Sequence, residues 1–576
     1  MEIVMCIDVG SSHTGYAFSS RQEFEARPLD IHQNEEWMSG HANLHTYKAP
    51  SCLLLKQDKT IQAFGYEAER RYLALLDNKQ HDQFYYFRRF KADLKTKQFR
   101  KDTVIEEEGG KSINGIALFK EVFKYLRGHF MDTLDESARY GNMDAVVRTY
   151  NIRYVVTVPT KWDNASRDCM KSAAKKGGLT PCVLYSETEA AARYCRLIPL
   201  RVGEDTEFYF QTPASKQVIV DFGGCGVDTA VQEIGEDGSI TEFPKNLGTT
   251  SGATRVDSDF QRFFFSLFGN DFADTYVKKH KLDFLELQYE FEMKKKRFTL
   301  ESDLGASLEL PHSLIKMYTA KYKQSIQFLI DDSDYVGKIV SNDEYLILNK
   351  NVMKDIFGPA VKSTVGYLTN LTRDPEVKQC DAIILVGGFV DSAVVSGAVR
   401  FYFPNSNMIT VEEAELCVLR GGVLLGHSPD PDFSFQSKFS YGLGMAVPFN
   451  ENTHPKKKRF IADEVQYCTD VFQPLIFSGK KYKIGELSRS VTLRLNRPNQ
   501  KRLAVPIYVL RDKKVQFTTD EGCSPIGKLI VNLEDRKQGK AAVEIQMTLL
   551  GDSLVVMGTE EGSIDRTDAA FPLVWK

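Results

Sequence analysis

Two stretches of this chain share one pattern, and together they restrict the fold more than anything else in the sequence. The first runs from Glu2 to Tyr16: an apolar strand ending at Asp8, then Gly10, Ser11, Ser12 and His13, then Gly15 and a second apolar run. The second runs from Val218 to Asp228 and reads VIVDFGGCGVD, with Asp221 at the strand end and Gly223, Gly224, Cys225 and Gly226 in the turn. A strand running into a glycine turn lets backbone N–H groups approach a phosphate without interference from Cβ atoms. The strand-end carboxylate cannot contact phosphate favourably, but it can hold Mg²⁺ through water. Taken alone, either stretch fits an ordinary β-hairpin turn equally well. Two copies predict an internally duplicated architecture with a phosphate held between the halves.

The remaining pattern is that of a large α/β protein. At 576 residues the chain exceeds what one core usually serves. A net charge of −3 gives no reason to expect nucleic acid or an anionic membrane as the main partner. The ten cysteines are scattered singles without a C-x-x-C pair, so neither a zinc site nor a disulfide framework is indicated, and a cytosolic or nuclear location is expected. No signal peptide and no membrane-length apolar run is recognisable.

Ile152–Val158 reads as a buried strand, Asn164–Ala174 as a helix stopped by Gly177-Gly178, and Glu187–Cys195 as an alanine-rich helix. Glu67–Leu76 and Phe84–Leu94 read as helical or mixed, and Lys101–Ser112 as a charged surface loop. An Asp237-Gly238 turn and a Leu247–Ala253 glycine- and threonine-rich loop follow the second repeat. Helices are expected over Val256–Phe268, Leu285–Arg297, Val352–Leu371 and Glu412–Leu425, and a strand over Cys380–Val386 leading into Gly387-Gly388. After about Pro429 the pattern becomes all-β. The basic run Thr453–Arg459 (THPKKKR) reads as an exposed loop rather than as a localisation signal or anion patch.

The segments IDVGSSHTGYAF, VVTVPTKWDNASRDCMKSAAKKGGL, YSETEAAARYC, VIVDFGGCGVDTAV, EMKKKRF, AIILVGGF and EEAELCVLRGGVLLG stand in the order found in one family. Together they resemble the actin-like ATPase domain of the 70-kDa heat-shock proteins. Tyr467–Phe472 (YCTDVF) and Val515–Leu529 (VQFTTDEGCSPIGKL) resemble its atypical heat shock 70 kDa protein 12 group. The resemblance implies a duplicated, ribonuclease H-like ATPase domain over residues 1–430, with lobes of about 1–216 and 217–430. A smaller β-sandwich over 431–576 would follow, with no helical lid, engaging protein partners or clients.

It also implies ATP or ADP and Mg²⁺ as ligands. Asp8 and Asp221 would hold Mg²⁺ through water, while Gly10, Ser11, Ser12, His13, Gly223, Gly224, Cys225 and Gly226 cradle the phosphates. Glu187 would act on the metal or the attacking water, although a helix N-terminal acid favoured by the macrodipole explains it too. Asp8, Glu187 and Asp221 are thus the catalytic candidates. Gly421-Gly422 would allow close helix packing. Gly387-Gly388 and one helix face bearing Glu292, Lys295 and Lys296 would hold adenosine; taken alone, that face is an ordinary solvated one.

Four departures weaken the pattern. Glu69 falls where the family carries its catalytic lysine, with Arg70 or Arg71 as substitutes. Phe389 and Asp391 replace a small hydroxyl and an arginine, and Gly226 replaces a hydroxyl residue. The expected activity is therefore ATP binding with slow or absent hydrolysis in a chaperone-like protein. The alternatives are a nucleotide-dependent scaffold or signalling adaptor and, ranked below it, an actin-fold small-molecule kinase, for which no catalytic base in a sugar pocket is visible.

Overall fold

The computed structural model describes residues 2–34, 37–39, 44–94, 98–139, 151–198, 200–202, 206–208, 216–234, 240–245, 252–301, 304–342, 344–404, 408–428, 434–437, 439–462, 464–483, 487–495, 500–510, 515–533, 542–550, 553–561, 563 and 566–572. The Asp237-Gly238 turn and most of the Leu247–Ala253 loop fall outside them. The chain divides into two compact units. One comprises residues 1–21, 31–195 and 212–429; the other comprises 22–30, 196–211 and 430–576.

The duplication is explicit in the first unit. In its first half, β1 (Glu2–Val9) pairs antiparallel with β2 (His13–Ser20) and parallel with β3 (Asn151–Val158), which in turn runs parallel to Cys182–Ser186. Helix α1 (Glu187–Cys195) follows directly. In the second half, β4 (Lys216–Phe222) pairs antiparallel with β5 (Val227–Ile234), and β5 with Ile240–Lys245. Helices α2 (Ala253–Phe268) and α3 (Lys281–Arg297) come next. Strand β6 (Ala382–Val386) then returns parallel to β4, with Met408–Thr410 parallel on its far side, and helix α4 (Cys417–His427) closes the half. Both sheets therefore place a central strand between one antiparallel and one parallel neighbour.

Strands β1 and β4 are buried on both faces, which is why they read as nearly continuous apolar runs. Each half has its own core, around Phe119 and Phe123 in the first and Phe264 and Phe291 in the second. The carboxylates stand at equivalent places. Asp8 is opposite Thr157 of β3, and Asp221 is opposite Val386 of β6.

The two terminal helices exchange sheets. α1 packs on β4 and β5, α4 packs on β1 and β3, and the helices cross each other. Gly421 makes the crossing achievable: a Cβ there would run into the carbonyl of Ala190. α4 begins later than the sequence pattern suggests. Glu413 lies at φ +50, residues 414–416 form a 3₁₀ turn, and only from Cys417 does the α-helix run.

Two further expectations change. Within Phe84–Leu94, Tyr85–Arg88 is a strand paired with Cys52–Leu55, because its aromatics complete a half-buried sheet surface, and only 92–94 is helical, as a 3₁₀ turn. The charged run Lys101–Ser112 is not simply a loop: Val104–Glu106 and Ser112–Asn114 form a hairpin whose turn places Gly110 at φ +89.

The second unit is built on antiparallel sheets. One has the order 459–462, 465–476, 440–448, 502–510 and 523–532; another has the order 491–494, 542–550, 553–560 and 566–572. Leu443, Ile507 and Val531 of the first and Ile545, Met547 and Val556 of the second share one core. Among the described residues no helix is long and apolar enough to cross a membrane.

Gly421→Ala should destabilise the first unit by ~1–3 kcal/mol, because the helix crossing cannot widen without repacking. Gly366→Ala, in a helix where the added methyl meets nothing within 4 Å, should stabilise it by ~0.5–1 kcal/mol. Urea unfolding of the two variants checks both signs.

Candidate functional site

A cavity of about 420 Å³ opens between the two halves of the first unit. Asp8, Gly10, Ser11, Ser12 and His13 line it from the first repeat, and Asp221, Gly223, Gly224 and Gly226 from the second. Glu187 at the start of α1 lines it too. Glu292, Lys295 and Lys296 of α3 and Gly387-Gly388 after β6 complete the expected set. Cys225 is the exception: it is not among the lining residues, and its Sγ accepts the Thr254 hydroxyl at 3.5 Å.

The loops owe their shape to local hydrogen bonds. Ser51 N–H donates to Ser12 O at 2.8 Å, and Ser51 Oγ donates to Gly10 O at 2.7 Å. In the second loop, Gly223 N–H is committed to Gly226 O at 2.9 Å, while the backbone N–H and hydroxyl of Thr254 both reach Gly224 O at 2.9 Å. The loops meet face to face. A Cβ on Gly224 would collide with the Ser12 side chain, so only glycine fits against the opposing loop. Gly387 sits at φ +92 and against Asp221, where any side chain would be both strained and obstructed.

The charges form a compact group. Lys48 Nζ lies 2.8 Å from Asp8 Oδ2, and the Thr157 hydroxyl donates to Asp8 Oδ1 at 3.0 Å. Lys91 Nζ lies 2.6 Å from Glu187 Oε1, and Lys161 Nζ lies 3.4 Å from Asp228 Oδ1. Burial alone would raise the Asp8 carboxyl, but Lys48 and then Lys91 outweigh it and hold Asp8 below the usual carboxylate range. Asp221 goes the other way. Burial, and then the nearby Glu187, Asp8 and Asp228, push it up to about 8. Among the described residues no cation lies within ion-pair distance of Asp221.

The far wall joins the two repeats. Burial and then Lys296 push the His13 imidazole down to about 3, so the ring is neutral. Its Nδ1 lies 3.1 Å from Ser12 Oγ and its Nε2 lies 3.3 Å from Lys296 Nζ, which fits Nδ1–H donating to the serine and Nε2 accepting from the ammonium. Asp257 of α2 takes Arg89 at 2.6 Å and also pairs with Lys295.

Two of the departures acquire a different meaning. Glu69 does not line this cavity. It is buried on the helix Gly65–Asp77, where it accepts from Cys52 Sγ at 3.2 Å and lines an adjoining cavity of about 1170 Å³ that shares His13, Glu292 and Lys296 with the first. A linear register could not tell which helix face turns toward the cleft. Arg70 and Arg71 do not substitute for a catalytic lysine either, since both pair with Glu67. Besides Lys161, Lys295 and Lys296, the cleft is lined by Lys48 and Lys91, which no motif marks. Asp391 is also engaged: it accepts backbone N–H groups of Ala414 and Glu415, both at 3.1 Å, and so holds the 3₁₀ turn before α4. Phe389 is buried in the core of the second half while still lining the cleft. Thr254, whose hydroxyl donates to Gly224 O, also lines the cavity.

The residues present fit a hydrated divalent cation and a polyphosphate. Among the described residues no group of three or more His, Cys, Asp or Glu side chains could ligate a metal directly, whereas Asp221 is a buried acid without a cation beside glycine-loop amides.

No protein-family model matches the chain. It is 27% identical to heat shock 70 kDa protein 12A of Homo sapiens over 586 residues, which is 92% of this chain and 85% of that protein. It is 26% identical to human heat shock 70 kDa protein 12B over 592 residues, 93% of this chain and 85% of that protein. A bacterial relative, the chaperone protein HscA homolog of Acinetobacter baylyi, is 25% identical over 285 residues, 48% of this chain and 38% of that protein.

Burial pushes Glu69 from its ordinary 4.5 up to about 7, against the pull of Arg88. A raised carboxyl contributes stability that is fully present below the unfolded pKa and is lost as pH rises through the folded one. Wild type should therefore lose up to ~3 kcal/mol relative to Glu69→Gln between about pH 4.5 and pH 7, measured by denaturant titrations across that range.

Proposed function

We propose that this chain, which is related along nearly its whole length to the heat shock 70 kDa proteins 12A and 12B, is an actin-like ATP-binding protein of the 70-kDa heat-shock type that hydrolyses ATP slowly. The observation that carries the reading is the meeting of the two glycine loops, Ser12 against Gly224, beside the acids Asp8, Glu187 and Asp221. An ordinary pair of hairpin turns has no reason to converge on buried acids and lysines.

In this reading Gly10–His13 and Gly223–Gly226 cradle the phosphates, and Glu292, Lys295, Lys296 and Gly387-Gly388 hold the nucleoside. Mg²⁺, when bound through water at Asp221 and Asp8, neutralises phosphate charge. Water attacks the γ-phosphorus, the bond to the β,γ-bridging oxygen breaks, and ADP and phosphate leave. Glu187, held at Oε1 by Lys91, receives the proton of the attacking water and passes it to the departing phosphate. Lys91 offers its charge to the γ-phosphate, the role that Glu69 could not fill. Slow turnover is carried by Gly226, which supplies no hydroxyl.

The second unit serves protein partners or clients. Ile461 (68% exposed), Val465 and Ile530 supply apolar surface on it.

Calorimetric titration with ATP in Mg²⁺ should give saturable binding that Asp221→Ala weakens; absence of saturable binding by wild type would remove the nucleotide reading. In single-turnover hydrolysis, Lys91→Ala should slow the chemical step by ~10²–10³. Wild-type turnover as fast as that of ordinary chaperones of this family would end the slow-ATPase part of the proposal.

A further inference from the structure

The cation that neutralises Asp8 belongs to the chain itself. Lys48 immediately precedes Ala49–Pro50, which pairs with β2, so its backbone is fixed beside the first loop. Its stem lies over Gly15 of β2, where a Cβ would press on Lys48 Cγ. The ammonium lines the cleft and reaches Asp8 Oδ2 at 2.8 Å, and the other oxygen of Asp8 is occupied by Thr157 at 3.0 Å. After Asp8, the carboxylates it faces are Glu415 and Asp221. Of the acids Asp8, Glu187, Asp221 and Asp228, three are paired with lysine: Asp8 with Lys48, Glu187 with Lys91 and Asp228 with Lys161.

We infer that Lys48 is a built-in counter-cation for the polyphosphate, so that nucleotide binding by this chain depends only weakly on a divalent cation. This rests on the nucleotide reading given above. A carboxylate and a phosphate at close range need a cation between them. A hydrated Mg²⁺ ordinarily supplies it, whereas here an ammonium already sits on Asp8. An ammonium has three donors. One is spent on Asp8, and two remain for phosphate oxygens. Asp221, the acid without a lysine, is then the one left to hold a hydrated cation when one is present.

ATP titrations of the full chain in Mg²⁺ and in excess EDTA test this, using wild type, Lys48→Met and Lys48→Arg. Wild type should lose no more than about tenfold in affinity in EDTA, while Lys48→Met should lose about a hundredfold, the worth of a charge-assisted contact to a buried anion. In Mg²⁺ the two should differ by less than about tenfold. Lys48→Arg, which keeps the charge, should follow wild type. An equal EDTA penalty in wild type and Lys48→Met overturns the inference, as does wild-type binding abolished by EDTA. If circular dichroism shows Lys48→Met unfolded, the wild-type titration decides alone. Absence of ATP binding by wild type even in Mg²⁺ is a separate result; it removes the nucleotide reading and this inference with it.

Discussion

Pairing buried acid with buried lysine is the condition on which the first unit depends. Its duplicated sheets end in carboxylates, and the lobes bring those ends together, so several negative charges converge in a confined space. Unpaired, they would cost several kcal/mol each. The chain resolves this unevenly. Lys48 and Lys91 hold Asp8 and Glu187, while Asp221 is left without a cation and burial and its neighbouring acids push its carboxyl up. Two kinds of acid thus stand at corresponding ends of two corresponding strands.

The convergence is mechanical as well as electrostatic. Helices α1 and α4 each leave one half and pack on the sheet of the other, crossing where Gly421 lets them touch. That crossing ties the two strand ends to each other and hence the two loops. The opposite wall is tied differently, through neutral His13 between Ser12 and Lys296. The helix crossing also carries a polar contact, Arg420 Nη1 donating to Tyr194 OH at 2.8 Å.

Much of this was legible beforehand because it repeats. The strand–Asp–glycine pattern at Asp8 and Asp221, the start of a helix at Glu187 and the Gly387-Gly388 turn are local signals, and the structure gathers them round one cavity. The misreadings arose where orientation mattered. Glu69 occupies a plausible register, yet the helix Gly65–Asp77 turns it into a different cavity. Asp391 was read against a ligand, although it caps the turn that starts α4.

The sequence by itself determined the duplication, the mixed α/β class and the loops, because strand periodicity and glycine turns are encoded in neighbouring residues. Only the tertiary structure decided which charges act together. Lys48, Lys91, Lys161 and Thr157 carry no local signature, since an isolated lysine or threonine reads the same at a surface as in a cleft. Their role comes from distances across the sheet and between the lobes. Such distances depend on register, helix rotation and burial, which no short window of sequence contains.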